Sequence, residues 1–368
     1  MKKLLYLSNS IIPSRYANSV HVMKMCQAFQ NNGFDVELLC YTSQRKINEE
    51  IYEEYGISNN FKITAYYLKI FRAKFFQNFF SILKLLMKQK TNTIVYGRDI
   101  YSLYLASLLG FDVYYESHSL PTSKLHAFVE KRVFASKYFR RMTVISDKLK
   151  NMYLNSNFRV ANDKIITLHD GADEIDLTKG KNGLGSGFHI GYIGSLYYDG
   201  RGIDLILKVA KLNPEFIFHL VGGKDEEVRY WKNISSSNVR FYGYLHHKKA
   251  TQYLLNFDVV LMPYQSNLKL EGLNLNTTEW MSPMKMFEYM SAQKAIVSSN
   301  FPVIKEVLNN KNSMLVVSDD IDAWSQAINS LYDNSAFAEE ISSNAYNDFI
   351  NNYTWNKRAK SIKLINNW

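Results

Sequence analysis

The chain has 368 residues, 46% of them apolar and 21% charged, with a formal net charge of +10. That length exceeds what one hydrophobic core usually organises, so two domains are expected, and the composition is that of a globular protein rather than a fibrous or disordered one. Cys26 and Cys40 are too few for a disulfide framework and have no C-x-x-C or His cluster around them, which excludes a disulfide scaffold or an evident zinc site and fits a reducing cytoplasm.

The first stretch, Met1-Lys-Lys-Leu-Leu-Tyr-Leu-Ser-Asn9, starts like a secretion signal, but its apolar run is four residues long and no small-residue cleavage site follows. It reads as a buried parallel strand. Further strands are expected at Asp35–Cys40, Thr93–Tyr96, Asp112–Tyr115, Arg141–Ile145 and Lys164–Leu168, with helical patterns between them such as His21–Phe29, closed by Asn-Asn-Gly33. Residues 71–90 are basic and aromatic, with Phe75, Phe79, Ile82 and Leu86 on one helical face. That face fits a sheet-packing helix, or else an interfacial helix on anionic lipid. The first 173 residues hold 24 Lys and Arg against 14 Asp and Glu, and the remainder holds 20 of each, so the whole excess lies in the first half. An anionic partner for that half, or simply a well-solvated surface, accounts for it.

Residues 174–187 are polar and glycine-rich and read as a linker. Strand and helix patterns then restart, with strands expected at Phe188–Ile193, Phe216–Val221, Val239–Tyr242, Val259–Met262, Ala295–Ser298 and Ser313–Val317. The expected fold is α/β, with two Rossmann-like domains, residues 1–173 and 188–350, facing each other across a cleft. Residues 351–368 form a last helix expected to pack back on the first domain. No apolar run is long enough to span a bilayer, so any membrane contact is peripheral, on the inner face.

Neither G-x-G-x-x-G after a strand nor G-x-x-x-x-G-K-[ST] is present, which disfavours a dehydrogenase or a P-loop enzyme. The stretch Gly191-Tyr-Ile-Gly-Ser-Leu-Tyr-Tyr-Asp-Gly-Arg-Gly-Ile-Asp204 places Arg201 in a glycine-spaced turn ahead of a helix, where free N–H groups and a guanidinium can receive phosphate. In Ser282-Pro-Met-Lys-Met-Phe-Glu-Tyr-Met290, Ser282 suits an N-cap and Pro283 a first helical position, so the amides of Met284 and Lys285 make a second anion seat. Glu288 fits either an i,i+3 partner of Lys285 or the acceptor of two hydroxyls of a vicinal diol such as ribose. Asp320 and Asp322 resemble a metal-binding D-x-D, but they precede a helix where an aspartate serves as N-cap. His246 and His247 have no third ligand in view, and no metal or other cofactor is expected.

Taken in order, Gly191-Tyr-Ile-Gly-Ser-Leu196 with Arg201-Gly-Ile-Asp204, Leu220-Val-Gly-Gly223, Val239-Arg-Phe-Tyr-Gly243, Phe257–Pro263, Ser282–Met290 and Tyr353-Thr-Trp355 resemble the retaining glycosyltransferases of the family 4 type, which have the two-Rossmann GT-B architecture. Arg98-Asp-Ile-Tyr-Ser102, Glu116-Ser-His118 and Asp170-Gly-Ala-Asp173 add to the likeness. The resemblance implies that Glu288 holds the donor ribose, that Arg201 and Lys285 hold its diphosphate with the loop Ser282, Pro283 and Met284, and that His118 is catalytic beside the transferred sugar. It further implies donor contacts at Asn18, Ser19, Gly194, Ser195, Gly222 and Tyr242, and acceptor contacts at Arg15, Arg98 and Glu116. Three positions depart from the family pattern: Trp280 stands where a first glutamate is usual, with Glu279 one place away; Ser195 replaces a basic residue; and Tyr16-Ala-Asn-Ser19 replaces a glycine-rich loop.

The resulting expectation is an enzyme that moves a sugar from a UDP- or GDP-sugar to a hydroxyl of a glycan or lipid-linked acceptor, in synthesis of bacterial surface polysaccharide or lipopolysaccharide. An anionic membrane surface is a further candidate partner, and nucleic acid is not expected. A sugar-nucleotide epimerase on the same fold and a non-catalytic glycan- or membrane-binding protein are the alternatives.

Overall fold

The computed structural model describes residues 1–14, 16–44, 49–67, 92–179, 183–270 and 273–368. Arg15, the basic aromatic segment 71–90 and residues 180–182 of the glycine-rich linker lie outside the described residues. The chain divides into two compact units, Met1–Asp170 with Trp355–Trp368, and Gly171–Thr354.

Unit 1 is built on a seven-stranded parallel sheet, β1 (Lys3–Ile11), β2 (Asp35–Thr42), β3 (Lys62–Tyr67), β4 (Thr93–Gly97), β5 (Val113–Ser117), β6 (Phe139–Val144) and β7 (Ile165–Thr167), in the order β3-β2-β1-β4-β5-β6-β7. Helices α1 (Ala17–Asn31), α2 (Glu50–Glu54), α3 (Ile100–Leu108), α4 (Lys124–Phe134) and α5 (Asp147–Leu154) connect the strands. Polar side chains start three of them: Asp99 accepts from the amide of Tyr101, Ser123 from that of His126 and Ser146 from that of Leu149.

Unit 2 repeats the plan with β8 (His189–Ile193), β9 (Ile217–Val221), β10 (Val239–Gly243), β11 (Val259–Met262), β14 (Ala295–Ser299) and β15 (Met314–Val316), ordered β10-β9-β8-β11-β14-β15 and all parallel. An antiparallel ribbon, β12 (Lys269–Leu270) with β13 (Leu273–Asn276), is separate from that sheet. The helices are α6 (Ile203–Leu212), α7 (Asp225–Ile234), α8 (His247–Asn256), α9 (Met284–Ser291), α10 (Ile321–Asp333) and α11 (Ser335–Asn352). Strand β11 shows why these strands read as unbroken apolar runs: Val259 and Leu261 enter the core on one face, Val260 and Met262 the core on the other. The last helix, α12 (Trp355–Ile365), belongs to unit 1 and packs along α1 with Ala359 and Ile362 fully buried.

In both sheets the strand order reverses once, between β1 and β4 and between β8 and β11. Ligands of such folds bind outside the carboxyl ends of the strands at that reversal. Residues Leu7–Ile11 and Gly97–Arg98 occupy it in unit 1, Ile193–Gly194 and Met262–Tyr264 in unit 2.

The alternation of strands and helices agrees with the sequence expectation; the β12–β13 ribbon, strand β3 and the start of α9 depart from it. Strand β3, Lys-Ile-Thr-Ala-Tyr-Tyr67, lies at the sheet edge, where its partly exposed side chains give no apolar run. Helix α9 starts one residue late: Pro283 is its N-cap and Ser282 precedes it, because proline is held in an extended conformation there, with φ −75° and ψ 118°.

Gly191 in β8 lies directly under the ring of Phe257, which an added Cβ would overlap. We expect Gly191→Ala to lower the unfolding free energy of the chain by about 1–3 kcal/mol in denaturant titration, the cost of overpacking a filled core. Phe257→Leu in the same chain should recover part of that loss, and an unchanged midpoint for Gly191→Ala alone would contradict the packing described.

Candidate functional site

In unit 2 the seat forms where three neighbouring chain segments meet at the strand ends. Gly194 follows β8, and a Cβ there would come within 2.6 Å of Lys285 Nζ, so a larger residue would make the lysine's tip shift. Arg201 follows in the next turn, just ahead of Gly202, which is the N-cap of α6 in a left-handed conformation, φ 74°, with its α-carbon against the carbonyl of Pro263. Any other residue at 202 would both strain the backbone and strike that carbonyl. Lys285 comes from the first turn of α9, whose proline N-cap offers no side-chain acceptor, so the leading amides at Met284 and Lys285 are uncapped donors.

The charges in this seat are poorly matched. Lys285 Nζ is buried and has no hydrogen-bond partner among the described residues. It lies 3.9 Å from the ring centroid of Tyr192 and 5.3 Å from that of Tyr264. Burial, and then the nearby Arg201 guanidinium, push the ammonium well below the usual lysine range, against the pull of Glu288 one turn along α9. Arg201 hydrogen-bonds the Tyr264 hydroxyl, which burial raises to about 12, while its own Nε is buried without a partner among the described residues. Two cations and two helix-end amides thus converge with donors unspent, and an anion with several oxygens would satisfy them.

Unit 1 holds a different arrangement around Glu116, the penultimate residue of β5, which is 1% exposed. Its Oε1 lies 2.9 Å from Arg358 Nη2, 2.7 Å from His21 Nε2 and 3.0 Å from His118 Nε2, and its Oε2 accepts from the hydroxyls of Tyr96 at 2.6 Å and Tyr6 at 3.2 Å. Burial alone would raise this carboxyl. Arg358, then His21 and the hydrogen bonds from His118 and His21, instead hold it well below the usual carboxylate range. His21 Nδ1 lies 3.0 Å from Asp170 Oδ1; burial would raise that carboxyl too, but the field of His21 and its hydrogen bond bring it to about 2.

His118 is the member of this group that reaches solvent, its side chain 17% exposed. Burial, then the positive field of Arg98, push its imidazole down to about 4, with the Glu116 hydrogen bond opposing. Near neutral pH it is therefore an uncharged base. Arg98, at the end of β4, has a buried Nη1 with no partner among the described residues.

The structure brings Gly194, Arg201, Ser282, Pro283, Met284, Lys285 and Glu288 to one end of the unit 2 sheet, with Gly222 packed against the Gly194 carbonyl. Ser195 is exposed there, and Tyr242, next to last in β10, has its hydroxyl 2.8 Å from His219 Nδ1. Two readings change. Ser19 is fully buried at the start of α1, its hydroxyl donating to the carbonyls of Ser14 and Tyr16, so it closes a loop instead of offering a donor contact; its neighbour Asn18 is exposed. Glu116 has both oxygens occupied by protein donors, so it supports neighbouring side chains and is not available as an acceptor contact. Asp320 caps α10 through the amide of Ala323, and His246 is the N-cap of α8.

Sequence reasoning did not single out His21, Asp170 or Arg358 as site residues. His21 passes for a core position of an apolar helix, and Arg358, in Trp355-Asn-Lys-Arg-Ala-Lys360, passes for a solvated cation. Only Asp170 carried a signal, within Asp170-Gly-Ala-Asp173. Among the described residues, His21, Glu116, His118 and Asp170 are grouped closely enough to hold a metal ion, with one ligand atom each within 4.8 Å of the others. Those atoms face one another at hydrogen-bonding distances and share Glu116 with a guanidinium, a donor set that disfavours a cation.

Two family profiles match the chain, "Glycosyl transferase 4-like" over residues 4–146 and "Glycosyl transferases group 1" over residues 187–334. No curated protein matches it in sequence. Among solved structures, a glycosyltransferase from Rickettsia africae is similar with a TM-score of 0.72 at 14% identity, over 99% of this chain and 98% of that one. HepE from Anabaena in complex with UDP gives 0.73 at 14% identity over 98% of both chains. A variant of S. aureus TarM in complex with fondaparinux, alpha-GlcNAc-glycerol and UDP gives 0.72 at 12% identity over 100% of both.

The depressed imidazole and carboxyl have a consequence for stability with a definite sign. The unfolded chain takes a proton on His118 near its ordinary 6.5 while the folded chain refuses it until about 4, so stability falls as pH drops across that window. Asp170, ordinarily 3.8 and here about 2, contributes stability that is complete above 3.8 and lost as pH falls through 2. Denaturant titrations between pH 7 and pH 4 should show His118→Gln flattening the slope in the 6.5 to 4 window with no change above it; parallel curves for the two chains would refute the depressed imidazole.

Proposed function

We propose, from the premise that the chain belongs to the GT-B glycosyltransferases of the group 1 and family 4-like type, that it transfers a sugar from a UDP- or GDP-sugar to a hydroxyl of a glycan or lipid-linked acceptor with retention at the anomeric carbon. The observation that carries the donor reading is Lys285: a desolvated ammonium beside Arg201, with no hydrogen-bond partner among the described residues and two uncapped amides next to it. A diphosphate supplies the charge and the oxygens that this seat lacks. The same groups would stabilise the leaving diphosphate as the glycosidic bond breaks, since charge develops on its terminal oxygen at that moment.

Glu288 lies one turn beyond Lys285 on α9, within reach of the same ligand, and is read as the acceptor for the two ribose hydroxyls. Trp280, half-buried, stands at the position of the usual first glutamate, and its neighbour Glu279 is exposed, so the sugar is read as held by a different set of groups from those of the general family pattern. Retention is read as substitution on the face the diphosphate leaves, with a phosphate oxygen taking the acceptor's proton. The buried carboxylates of unit 1 do not suit a double displacement, because Glu116 and Asp170 are committed to Arg358 and His21. HepE has been seen with UDP and glucose, and TarM with UDP and alpha-GlcNAc-glycerol. Such ligands support a nucleotide-sugar donor and a hydroxyl acceptor here.

The acceptor is read as binding unit 1, near Arg98 and His118, and the basic excess of the first half suits a phosphorylated or lipid-linked glycan of the bacterial surface. Among the described residues no helix is long and apolar enough to cross a membrane, so contact with an anionic inner membrane face would be peripheral.

Titration of the full chain with UDP and with GDP, followed by calorimetry, tests the donor seat. One of the two should bind, Lys285→Met should weaken it by about tenfold or more through loss of a buried charge on phosphate, and Glu288→Gln should weaken the nucleoside diphosphate more than inorganic pyrophosphate. Wild-type affinity in Lys285→Met, or no binding of either nucleotide, would overturn the reading.

A further inference from the structure

Among the described residues His118 makes a single hydrogen bond, from Nε2 to Glu116 Oε1 at 3.0 Å, and Nδ1 makes none. An ionised carboxylate only accepts, so the ring nitrogen facing it must carry the proton. That Glu116 is ionised follows from its surroundings: Arg358 Nη2 at 2.9 Å and the hydroxyls of Tyr96 and Tyr6 all donate to it. The imidazole plane is also fixed. The ring of His21 meets that of His118 edge-on at 4.7 Å and 89°, and Trp355 of α12 meets His21 edge-on at 5.2 Å and 87°.

We propose that Glu116 is a positioning residue that locks His118 as the neutral tautomer protonated on Nε2, so that the nitrogen presented to substrate is Nδ1, a hydrogen-bond acceptor. Arg358 takes part through Glu116. It is anchored by Nε to the His169 carbonyl at 2.9 Å and by Nη2 to Glu116, and keeps the carboxylate charged and pointed at the ring. The last helix of the chain thereby sets the protonation pattern of a residue 240 positions earlier. Removing Glu116's charge frees the ring to take the other tautomer, whose Nδ1 donates, and a substrate group that needs an acceptor then meets a donor. The part played by His118 in turnover rests on the transferase reading above; its tautomer does not.

Nitrogen-15 spectroscopy of the histidine-labelled full chain at pH 7 reads the tautomer directly. The His118 signals should show a protonated Nε2 and a bare Nδ1, and a proton on Nδ1 in the wild-type chain would overturn the proposal. In Glu116→Gln the Nδ1-protonated form should appear and kcat should fall by about tenfold or more, as when an orienting carboxylate is lost, while KM for the donor stays within about twofold. Tyr115→Phe is the control for stability, since it removes a buried hydrogen bond to Glu130, 2.7 Å, elsewhere in the same unit. It should lower the thermal midpoint and leave tautomer and kcat alone; a matching loss of kcat in Tyr115→Phe would reduce Glu116 to a structural part. Should Glu116→Gln fail to fold, the wild-type spectrum decides by itself. Should no donor be turned over, the spectrum still stands, so failure of the proposal and failure of the transferase reading are distinguishable.

Discussion

A charge taken out of water needs an opposite charge, and the two units of this chain meet that demand in opposite ways. In unit 1 the buried Glu116 carboxylate is answered wholly from within, by Arg358, two histidines and two tyrosines drawn from α1, β1, β4, α12 and the turn after β5. Four hydrogen-bond partners and the close ion contact of His21 occupy the roughly four acceptor sites of the group and leave it nothing to offer a ligand. Removing any one of the charged partners would strand a buried ion, which is more costly than never having buried the pair. In unit 2 the buried Lys285 has two aromatic faces, the like charge of Arg201 and the opposite charge of Glu288 nearby. One buried ion is thus satisfied by side-chain donors, while the other has no hydrogen-bond partner among the described residues.

That contrast also separates structural from chemical roles inside unit 1. His21 sits between two carboxylates at 1% exposure, and its place is to join α1 to β5 and to Asp170. His118, two residues past the strand position of Glu116, shares the same carboxylate oxygen yet keeps one nitrogen uncommitted and part of its ring in solvent. The two imidazoles meet at right angles, and they differ in the number of carboxylates each one touches and in their exposure.

Much of the fold could be read along the chain because parallel strands buried on both faces appear as unbroken apolar runs, and because serine, aspartate and glycine punctuate the helices. Strand β3 escaped that reading because an edge strand has only one neighbour and keeps polar and aromatic side chains half in solvent, and the β12–β13 ribbon because it is two and four residues long. The cluster at the end of the unit 2 sheet was legible where its parts are local: a proline ahead of Lys285, a glycine-spaced turn around Arg201. The Glu116 network was not, since its partners lie 95 residues before it, at His21, and 242 after it, at Arg358, and neither residue looks unusual within its own helix. Spacing along a helix or turn shows in a single sequence; pairing through the core does not.

The glycines of unit 2 show how far a weak local signal reaches once the sheet order is known. Taken singly, Gly194, Gly222 and Gly243 are ordinary ends of strands. In the order β10-β9-β8 they stand side by side, with the amide of Gly194 donating to Val221 and that of Gly222 to Gly243, at 2.9 and 2.8 Å. A side chain at Gly222 would press into the Gly194 carbonyl, and one at Gly194 would press into the Lys285 ammonium. Their function is the space they leave: three neighbouring strands end without side chains, and the cleared ground lies beside the two unspent cations. The place Lys285 occupies depends on that cleared backbone, because a methyl group at Gly194 would come within 2.6 Å of the ammonium and make its side chain shift. Placement of the positive charge and emptiness of the floor next to it are therefore one constraint, written in the sequence as separate motifs almost a hundred residues apart.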